Sequence, residues 1–243
     1  MKKIILSIFI PCFNEENYIT NALNNIKEGI QTISYEILVA DDASTDKTIE
    51  MIEKFKKNNP NINIKIFRNE KNRGIGYNFW ATAHKALGKY YFILMGDGGT
   101  PSNEIKKVVN NIGKADMILS YFIDKRKVFR RTLSKIFVII INLITLNNIK
   151  YYNNCNIHLL ENAKLYSRKG SGFGFQAELI TEQIRQKKTY IEIEVKPSFA
   201  SQKELSELSQ ALKLHNILSL IQSIILIFLK QIAYVVKKMK LLI

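Results

Sequence analysis

The sequence predicts an α/β protein in which helices cover both faces of a mainly parallel sheet. Two observations predict this class: short β-branched runs alternate with longer helical patterns over the first 120 residues, and polar turn-forming residues follow the runs. A chain of 243 residues is long enough to bury its own core. Its two cysteines, Cys12 and Cys155, lack metal-site spacing and favour a reducing compartment.

The first half of the chain contains the strand and helix candidates in strict alternation. Five runs rich in Ile, Val, Phe and Tyr predict strands, at residues 4–10, 36–40, 62–67, 90–95 and 115–120. Apolar residues at three- and four-residue spacing predict helices between them, at residues 18–30, 47–57, 78–87 and 103–111. The first run resembles a signal peptide, but Pro11 and an acidic, Asn-rich segment end it, so we expect a buried strand.

The second half of the chain contains two strongly apolar segments. Basic residues at 125–127, 130 and 131 precede an apolar helix at about 130–146, whose apolar core, residues 136–146, would measure about 16 Å, too short to span a bilayer. A helix at 176–186 and a strand at 190–195 follow. In the terminal helix, polar residues recur at three-, four- or seven-residue intervals on an otherwise apolar surface.

Net charge supports a membrane-surface location for this second half. The chain has a net charge of +15, and residues 121–243 contain 20 basic but only 8 acidic side chains. Basic residues beside apolar helices suit anionic lipid headgroups better than nucleic acid, so we expect no nucleic-acid partner. The organisation predicted is a domain at 1–200 and a membrane-associated helical segment at 201–243. The alternative is that the terminal helix docks on the protein's own core or on a second subunit.

Candidate chemistry lies at the ends of the predicted strands. Acidic and polar residues follow the first, second and fourth strands, at 11–16, 41–46 and 96–101. Ligands bind at this edge of a parallel sheet, and carboxylates there suit the hydroxyls of a sugar nucleotide or a cation on its diphosphate. Each loop alone could be an ordinary turn, since Asn, Asp and Gly favour turns. No phosphate-binding glycine motif is complete, because Phe79 stands where a third glycine would follow Gly74 and Gly76.

The sequence resembles the inverting family 2 glycosyltransferases of GT-A fold, in particular the dolichyl- and polyprenyl-phosphate sugar synthases. The elements that carry the resemblance cover most of the chain: IPCFNEE at 10–16, VADDASTDKT at 39–48, NRGIG at 72–76, ALG at 86–88, YYNNCNIH at 151–158, GFGFQAEL at 172–179 and EIEV at 192–195. The first two, a P-x-[FY]-N-E element followed about 25 residues later by DDxSxD, are the most specific. The resemblance implies a GT-A type, Rossmann-like sheet with membrane-interface helices at its C-terminal end.

The resemblance also implies a nucleotide-sugar site. Pro11, Asn14 and Glu15 would border the nucleotide, and Asp41 and Asp42 would contact the base and ribose. A further acid, Asp97, would match the last acid of the family's metal motif and hold Mg²⁺ or Mn²⁺. The first acid of that motif is replaced by Met95, so this carboxylate would be the protein's only metal ligand there.

The acceptor implied by the resemblance is a polyprenyl phosphate. Its phosphate needs a basic pocket beside an apolar surface, for which Arg126, Arg130 and Arg131 are the candidates. An ionised phosphate needs no strong base, whereas a hydroxyl acceptor would need Glu178, which could otherwise be an exposed helical residue.

We therefore expect sugar transfer from a nucleotide sugar to polyprenyl phosphate at the cytoplasmic face of a membrane. Two alternatives stay open. The first is a glycosyltransferase of the same fold that acts on a saccharide or lipid-linked glycan hydroxyl, with Glu178 as its catalytic base. The second is a non-catalytic, nucleotide-sugar-binding membrane adaptor. Histidines are not expected to take part, and His158 is interpreted as a structural residue.

Overall fold

A seven-stranded sheet forms the centre of the protein. The computed structural model describes residues 3–122, 128–165, 172–196, 198 and 214–240; for 128–130 and 214–216 it describes the backbone alone. The strands are β1 (Leu6–Cys12), β2 (Tyr35–Asp41), β3 (Asn63–Arg68), β4 (Tyr90–Ile93), β5 (Met117–Tyr121), β6 (Ile157–Leu159) and β7 (Tyr190–Glu194). Their spatial order is β3-β2-β1-β4-β6-β5-β7.

The sheet is mainly parallel, as the sequence predicts. β1 pairs in parallel with β2 on one side and β4 on the other, with Cys12 opposite Asp41 and Phe9 opposite Ile93. Only β6 runs the other way, antiparallel to β4 and β5. The sequence did not predict β6, because three residues are too few to show an alternating pattern.

Helices pack on both faces of this sheet. They are α1 (Ile19–Gly29), α2 (Thr48–Asn58), α3 (Ile75–Ala83), α4 (Ser102–Val109), α5 (Val128–Thr145), α6 (Leu160–Lys164), α7 (Phe175–Arg185) and α8 (Leu214–Lys240). Helices α1, α2 and α4 share one apolar cluster with alternate residues of β1, such as Ile8. Helices α3, α6 and α7 cover the other face, where Phe9 packs with Phe79 and Phe175.

Helix α5 occupies almost the same residues as the apolar helix predicted at about 130–146. It contains 18 residues and measures about 27 Å, whereas its apolar core alone would measure about 16 Å. The first half of α5 contains Arg131 and Lys135 on a helix surface that tolerates charge. Ile141 is buried in a third apolar cluster that joins α5 to α7 and α8. The predicted domain division at residue 200 stays a prediction, since residues 199–213 lie outside the described part of the chain.

A buried ionic network explains the ALG element at 86–88. Glu36 is fully buried and accepts hydrogen bonds from Ser7 Oγ (2.7 Å) and Leu87 N (2.7 Å), and it pairs with Lys65 Nζ (2.9 Å). A Cβ atom on Gly88 would lie 2.6 Å from the backbone N of Ser7, so only glycine fits there. This element therefore fixes the amino end of the sheet, far from the predicted site.

Candidate active site at the carboxyl edge of the sheet

The loops that follow β1 and β2 are hydrogen-bonded into one unit. The backbone N of Asn14 donates to Ser44 Oγ (2.9 Å), and Asn14 Oδ1 accepts from Thr45 N (2.9 Å). Asn14 has a φ of +54°, a left-handed conformation that asparagine tolerates better than most residues. The adjacent Glu15 N donates to Thr48 Oγ1 (2.7 Å). The two most specific sequence elements are therefore two halves of the same local structure.

A second set of contacts fixes the start of α2 against the β1 loop. Asp46 accepts hydrogen bonds from Glu16 N (3.0 Å) and Thr48 N (3.0 Å), and Glu16 in turn accepts from Lys47 N (3.0 Å). Burial alone would raise the pKa of Asp46, but hydrogen bonds from Thr48 and Glu16 lower that pKa below its ordinary value. Asp46 thus stays ionised, and its carboxylate oxygens bind the loop after β1 and the start of α2 rather than a ligand.

Asp41 and Asp42 stand at the carboxyl end of β2 with different partners. Asp41 is fully buried and lies 3.4 Å from the Nε of Arg68. The oxygens of Asp42 accept hydrogen bonds from Asn69 Nδ2 (2.8 Å), Arg73 N (2.8 Å) and Gly74 N (2.9 Å). Asp42 therefore connects β2 to the NRGIG element that leads into α3. Its predicted contact with a ribose stays a prediction.

Asp97 lies on the opposite side of β1 from Asp42. Gly96 N donates to Pro11 O (3.3 Å), while Asp42 N donates to Cys12 O (2.9 Å). Neighbouring strands are about 4.8 Å apart, so these two acidic loops flank the end of β1 at a separation of about 10 Å. Asp97 Oδ1 accepts from Gly99 N (2.9 Å), and Gly98 has a φ of +68°, which shapes the turn.

The reversed direction of β6 adds residues to this edge that the sequence did not reveal. The chain enters β6 through Cys155 and Asn156, next to the end of β5, where Ser120 Oγ donates to Cys155 O (2.7 Å). Burial raises the pKa of the Cys155 thiol, and the nearby charge of Asp97 adds to that rise. Asn156 Nδ2 donates to Gln176 Oε1 (2.7 Å), which connects the edge to the first turn of α7.

Glu178 lies at the same end of α7. The interpretation of Glu178 as an exposed helical residue is wrong. Its side chain is 3% exposed, and Oε1 accepts a hydrogen bond from Ser223 Oγ of α8. Because α7 leads back to the amino end of β7, its first turns lie at the carboxyl edge of the sheet. A catalytic role for Glu178 stays a prediction.

Comparison with known proteins decides the family. Residues 7–177 match the family described as glycosyl transferase family 2. The chain belongs to glycosyl transferase family 2. The matched region includes every loop of the carboxyl edge from β1 to the first turn of α7, and it confirms the resemblance stated from the sequence elements.

Curated members of family 2 are similar to parts of this chain. A dolichyl N-acetyl-alpha-D-glucosaminyl phosphate 3-beta-D-2,3-diacetamido-2,3-dideoxy-beta-D-glucuronosyltransferase of Methanococcus voltae is 41% identical over 108 residues, which are 44% of this chain and 32% of that protein. A dolichyl-phosphate beta-glucosyltransferase of Dictyostelium discoideum is 26% identical over 144 residues, 53% of this chain and 44% of that protein. This chain thus spans less than half the length of either relative.

A solved structure confirms the fold. Glucosyl-3-phosphoglycerate synthase from Mycobacterium tuberculosis, crystallised with Mn²⁺, UDP and glucosyl-3-phosphoglycerate, superposes with a TM-score of 0.64. The superposition covers 90% of this chain and 80% of that structure at 15% identity. The GT-A type α/β architecture predicted from the sequence is therefore the fold of this family 2 protein.

Of the three predicted acceptor residues, only Arg131 has a side chain within the described part of the structure. Arg126 lies outside the described residues, and so does the side chain of Arg130. Arg131 is partly exposed in the first turns of α5, which follows β5 and hence begins near the carboxyl edge. Phosphate binding by these three residues stays a prediction.

The metal prediction rests on one carboxylate. Within the described ranges no group of three His, Cys, Asp or Glu side chains could hold a metal ion. Met95, at the position of the missing acid, is 44% exposed, and its thioether is a poor ligand for Mg²⁺ or Mn²⁺. With Oδ1 bonded to Gly99 N, Asp97 would offer Oδ2 to a cation. This arrangement fits a cation whose other ligands are diphosphate oxygens and water, since Mg²⁺ commonly takes only one or two protein carboxylates.

A cleft of about 630 Å³ lies at the other edge of the sheet. Residues at the amino ends of β4 and β5 line it, among them Lys89, Lys114 and Asp116. Parallel sheets bind ligands at their carboxyl ends, so the cleft is on the wrong side for the predicted chemistry. The acidic loops, and not this cleft, mark the candidate site.

Proposed function

We propose that the chain transfers a sugar from a nucleotide sugar to a polyprenyl phosphate at the cytoplasmic face of a membrane, with inversion at the anomeric carbon. The observation that carries the proposal is the placement of Asp42 and Asp97 on either side of the end of β1. A separation of about 10 Å matches a nucleoside at one acid and its diphosphate at the other. Pro11 lies in β1 between the strands that lead to these acids, and the loop after β1 contains Asn14 and Glu15.

The nucleoside would lie on the Asp41 and Asp42 side. There the segment from Arg73 to Gly74 is held by Asp42, so its backbone is already fixed before a ligand arrives. A fixed segment avoids an entropy cost on binding, which favours tight capture of the base and ribose. Arg73 also lies 3.8 Å above the ring of Tyr77, which keeps a positive charge close to the same loop.

The diphosphate would lie at Asp97. When bound there, Mg²⁺ or Mn²⁺ would neutralise the charge that develops on the leaving diphosphate. Asp97 would fix its position through Oδ2, while the bond from Gly99 N keeps the carboxylate from rotating away. The similar mycobacterial structure contains Mn²⁺ and UDP, which supports a divalent cation in this fold.

A lipid phosphate suits the residues near α5 and α7 as the acceptor. The second pKa of a phosphomonoester is about 6, so at neutral pH one of its oxygens is already a nucleophile. That oxygen would bond to the anomeric carbon as the bond from this carbon to the diphosphate breaks, and the nucleoside diphosphate would leave. No proton has to be removed, and the carboxylate of Glu178 is already engaged by Ser223. The Dictyostelium discoideum relative is named for dolichyl phosphate, which supports this class of acceptor. The Methanococcus voltae relative is named for a dolichyl-linked sugar phosphate, which instead favours the alternative with a hydroxyl acceptor.

Mass spectrometry of reaction products tests this function directly. The purified chain is incubated with UDP- and GDP-sugars, Mn²⁺ and a short polyprenyl phosphate, and the expected product is a lipid-linked sugar phosphate. Arg131→Ala is expected to reduce product at least tenfold, with Lys114→Ala, at the far edge of the sheet, as the matched control. Product formation only with a hydroxyl-bearing glycan acceptor would replace this proposal by the alternative in which Glu178 is the base. Binding of a nucleotide sugar in calorimetry, without product from any acceptor, would favour the non-catalytic adaptor.

A further inference from the structure

The terminal helix α8 turns three of its polar side chains toward the protein. They contact α7 or the segment that leads into it: Ser219 Oγ accepts from Gly172 N (3.0 Å), Ser223 Oγ donates to Glu178, and Lys230 Nζ lies 3.3 Å from Glu182 Oε2. Ser223 is completely buried, and a Cβ atom on Gly174 would overlap its hydroxyl. Part of the polar stripe seen in the sequence is thus the inner face of the helix, whereas Gln222 and Lys237 of that stripe are exposed.

From Ile217 onward, where the side chains of α8 are described, the side of the helix opposite Ser223 is apolar. Ten large side chains on it are exposed: Ile217, Leu218, Ile221, Ile225, Phe228, Leu229, Ile232, Val235, Val236 and Met239. At about 100° per residue, each lies within about 60° of the direction opposite Ser223. A helix that only docks on its own core in water exposes polar residues on its outer side. The exposed side of α8 is therefore suited to apolar surroundings, although Ile227 on its inner side is buried in the protein.

Helix α5 extends this apolar surface. Leu133, Ile136, Ile139 and Leu143 are exposed at three- and four-residue spacing, and Leu143 is 71% exposed. Ile141 on the other side of α5 is buried with Ile227 of α8 in one cluster, so the two helices lie side by side. We call the exposed apolar side chains of α5 and α8 the lipid face. It is far larger than the isolated apolar residues normal on a monomer.

We propose that α5 and α8 lie in the plane of one leaflet of an anionic bilayer, with the lipid face in the acyl region, and that α8 does not cross the membrane. Charge complementarity identifies lipid as the occupant. Lys237, Lys238 and Lys240 are exposed in the last turn of α8, and Lys135 is exposed on α5. Together with a net charge of +15, these side chains place positive charge beside α5 and at the end of α8, which suits anionic headgroups.

The contacts with α7 exclude a spanning orientation. By length and composition Ile217–Lys240 could cross a membrane. However, Ser219, Ser223 and Lys230 bind α7 and its approach over about 17 Å of α8, and the other side of α7 packs on the sheet. A spanning α8 would carry this domain, with the Lys230–Glu182 ion pair, into the hydrocarbon. With α8 in the plane of the membrane, the domain and the ion pair both stay on the aqueous side of the bilayer.

The orientation of α8 also positions the membrane relative to the site. Contacts of Ser219, Ser223 and Lys230 with successively later residues of the α7 region show that the two helices run in the same direction. The first turns of α8 therefore lie at the carboxyl edge, where α7 begins. If the proposed function holds, a lipid phosphate reaches the site from the same leaflet without leaving it.

Vesicle binding and cysteine labelling test the proposal without any activity measurement. Full-length protein is floated with preformed vesicles that contain about one-third phosphatidylglycerol. We expect Ile225→Asp combined with Phe228→Asp to reduce flotation at least tenfold, whereas Leu87→Asp, an exposed apolar residue away from the lipid face, leaves it unchanged. Lys240→Cys on bound protein should react fully with an impermeant maleimide, because the native Cys12 and Cys155 are buried.

Two outcomes would overturn the proposal. Labelling of Lys240→Cys only after vesicle lysis would show that α8 crosses the bilayer. A stable dimer in sedimentation, lost in the Ile225→Asp and Phe228→Asp variant and unable to float with vesicles, would show that a second copy covers the lipid face. Neither outcome depends on turnover, so failure here and failure of the proposed function are distinguishable.

Discussion

Ser223 of the terminal helix donates a hydrogen bond to the buried carboxylate of Glu178, 45 residues earlier in the chain. This bond joins the first turns of α7, at the candidate active site, to the helix that carries most of the lipid face. A buried carboxylate needs such donors, because an unsatisfied one costs much more than the net gain of a typical hydrogen bond. The contact therefore links the position of α8 to a buried carboxylate at the site.

Ser223→Ala tests the strength of this connection. Removing the hydroxyl should lower the free energy of unfolding by about 1–3 kcal/mol, because the carboxylate of Glu178 loses a buried donor. Ser219→Ala, one turn earlier, is the matched control and should cost less, since it releases only one backbone N–H. Urea denaturation measures both. Equal effects of the two variants would contradict a special role for the bond to Glu178.

Gly174→Ala should push α7 and α8 apart by adding a side chain on the α7 side of their contact. The added methyl group would overlap the hydroxyl of Ser223, so α8 must move away from α7. We expect a loss of at least 2 kcal/mol in stability and faster proteolysis within α8. Limited trypsin digestion at Lys230 and Lys237 provides the measurement. Unchanged digestion kinetics would show that α8 does not depend on this contact.

Asp42→Asn should weaken nucleotide binding by about tenfold or more. The carboxylate accepts from Arg73 N, Gly74 N and Asn69, whereas an amide offers one acceptor oxygen and places an NH₂ group against a donor. Calorimetry with UDP and GDP measures the loss. Glu70→Gln, an exposed acid in the same region, is the control. If Asp42→Asn binds nucleotide normally, the segment at 72–76 does not need this acid for its conformation.

Particular residues show what the sequence could predict and what it could not. β2, which leads to Asp41 and Asp42, has seven residues with Ile and Val, and the shorter β4 before Asp97 is rich in aromatic residues. Both runs predict strands, so the rule that ligands bind at the carboxyl ends of parallel strands placed these acids at one edge. The rule did not predict that the end of β1 lies between them, because it gives the edge of the sheet and not the order of the strands. The partners of Asp42 could not be predicted, because a carboxylate at a strand end gives no sign of which backbone groups will reach it.

The connection of Glu178 to Ser223 was equally hidden. The sequence showed the polar stripe of α8, but a helical period does not say whether its polar side faces water or protein. Only the packing of α8 on α7 shows that part of the stripe faces inward. Similarly, Cys155 and Asn156 reach the site through a three-residue antiparallel strand, which is too short for any periodic signal.

Asp97→Asn separates two roles of Asp97. An amide oxygen can still accept from Gly99 N and keep the turn, but it loses the charge that a divalent cation requires. If Asp97 holds a cation, Asp97→Asn should lose the dependence of UDP or GDP affinity on Mn²⁺ as completely as Asp97→Ala does. If Asp97 only shapes the turn, the asparagine variant should behave as the wild type. Calorimetry with and without Mn²⁺ distinguishes the two results.

His158 should make the fold sensitive to mild acid. Its ring is completely buried between β4 and β5, where Nδ1 lies 3.0 Å from Gln183 Nε2 and the ring packs edge-on against Phe79. Burial lowers the pKa of His158 from 6.5 to about 4, although the hydrogen bond to Gln183 opposes this shift. Between these values the unfolded chain binds a proton that the folded chain does not.

Stability should therefore fall as the pH drops from about 6.5 to about 4, by up to roughly 3 kcal/mol from this residue. His158→Gln keeps a neutral group that can bond to Gln183, and it should remove this part of the pH dependence while lowering stability at pH 7. Urea denaturation of both proteins at several pH values gives the difference. Parallel stability curves for wild type and His158→Gln across this range would contradict a buried neutral histidine, because the unfolded state would then gain no proton relative to the folded one.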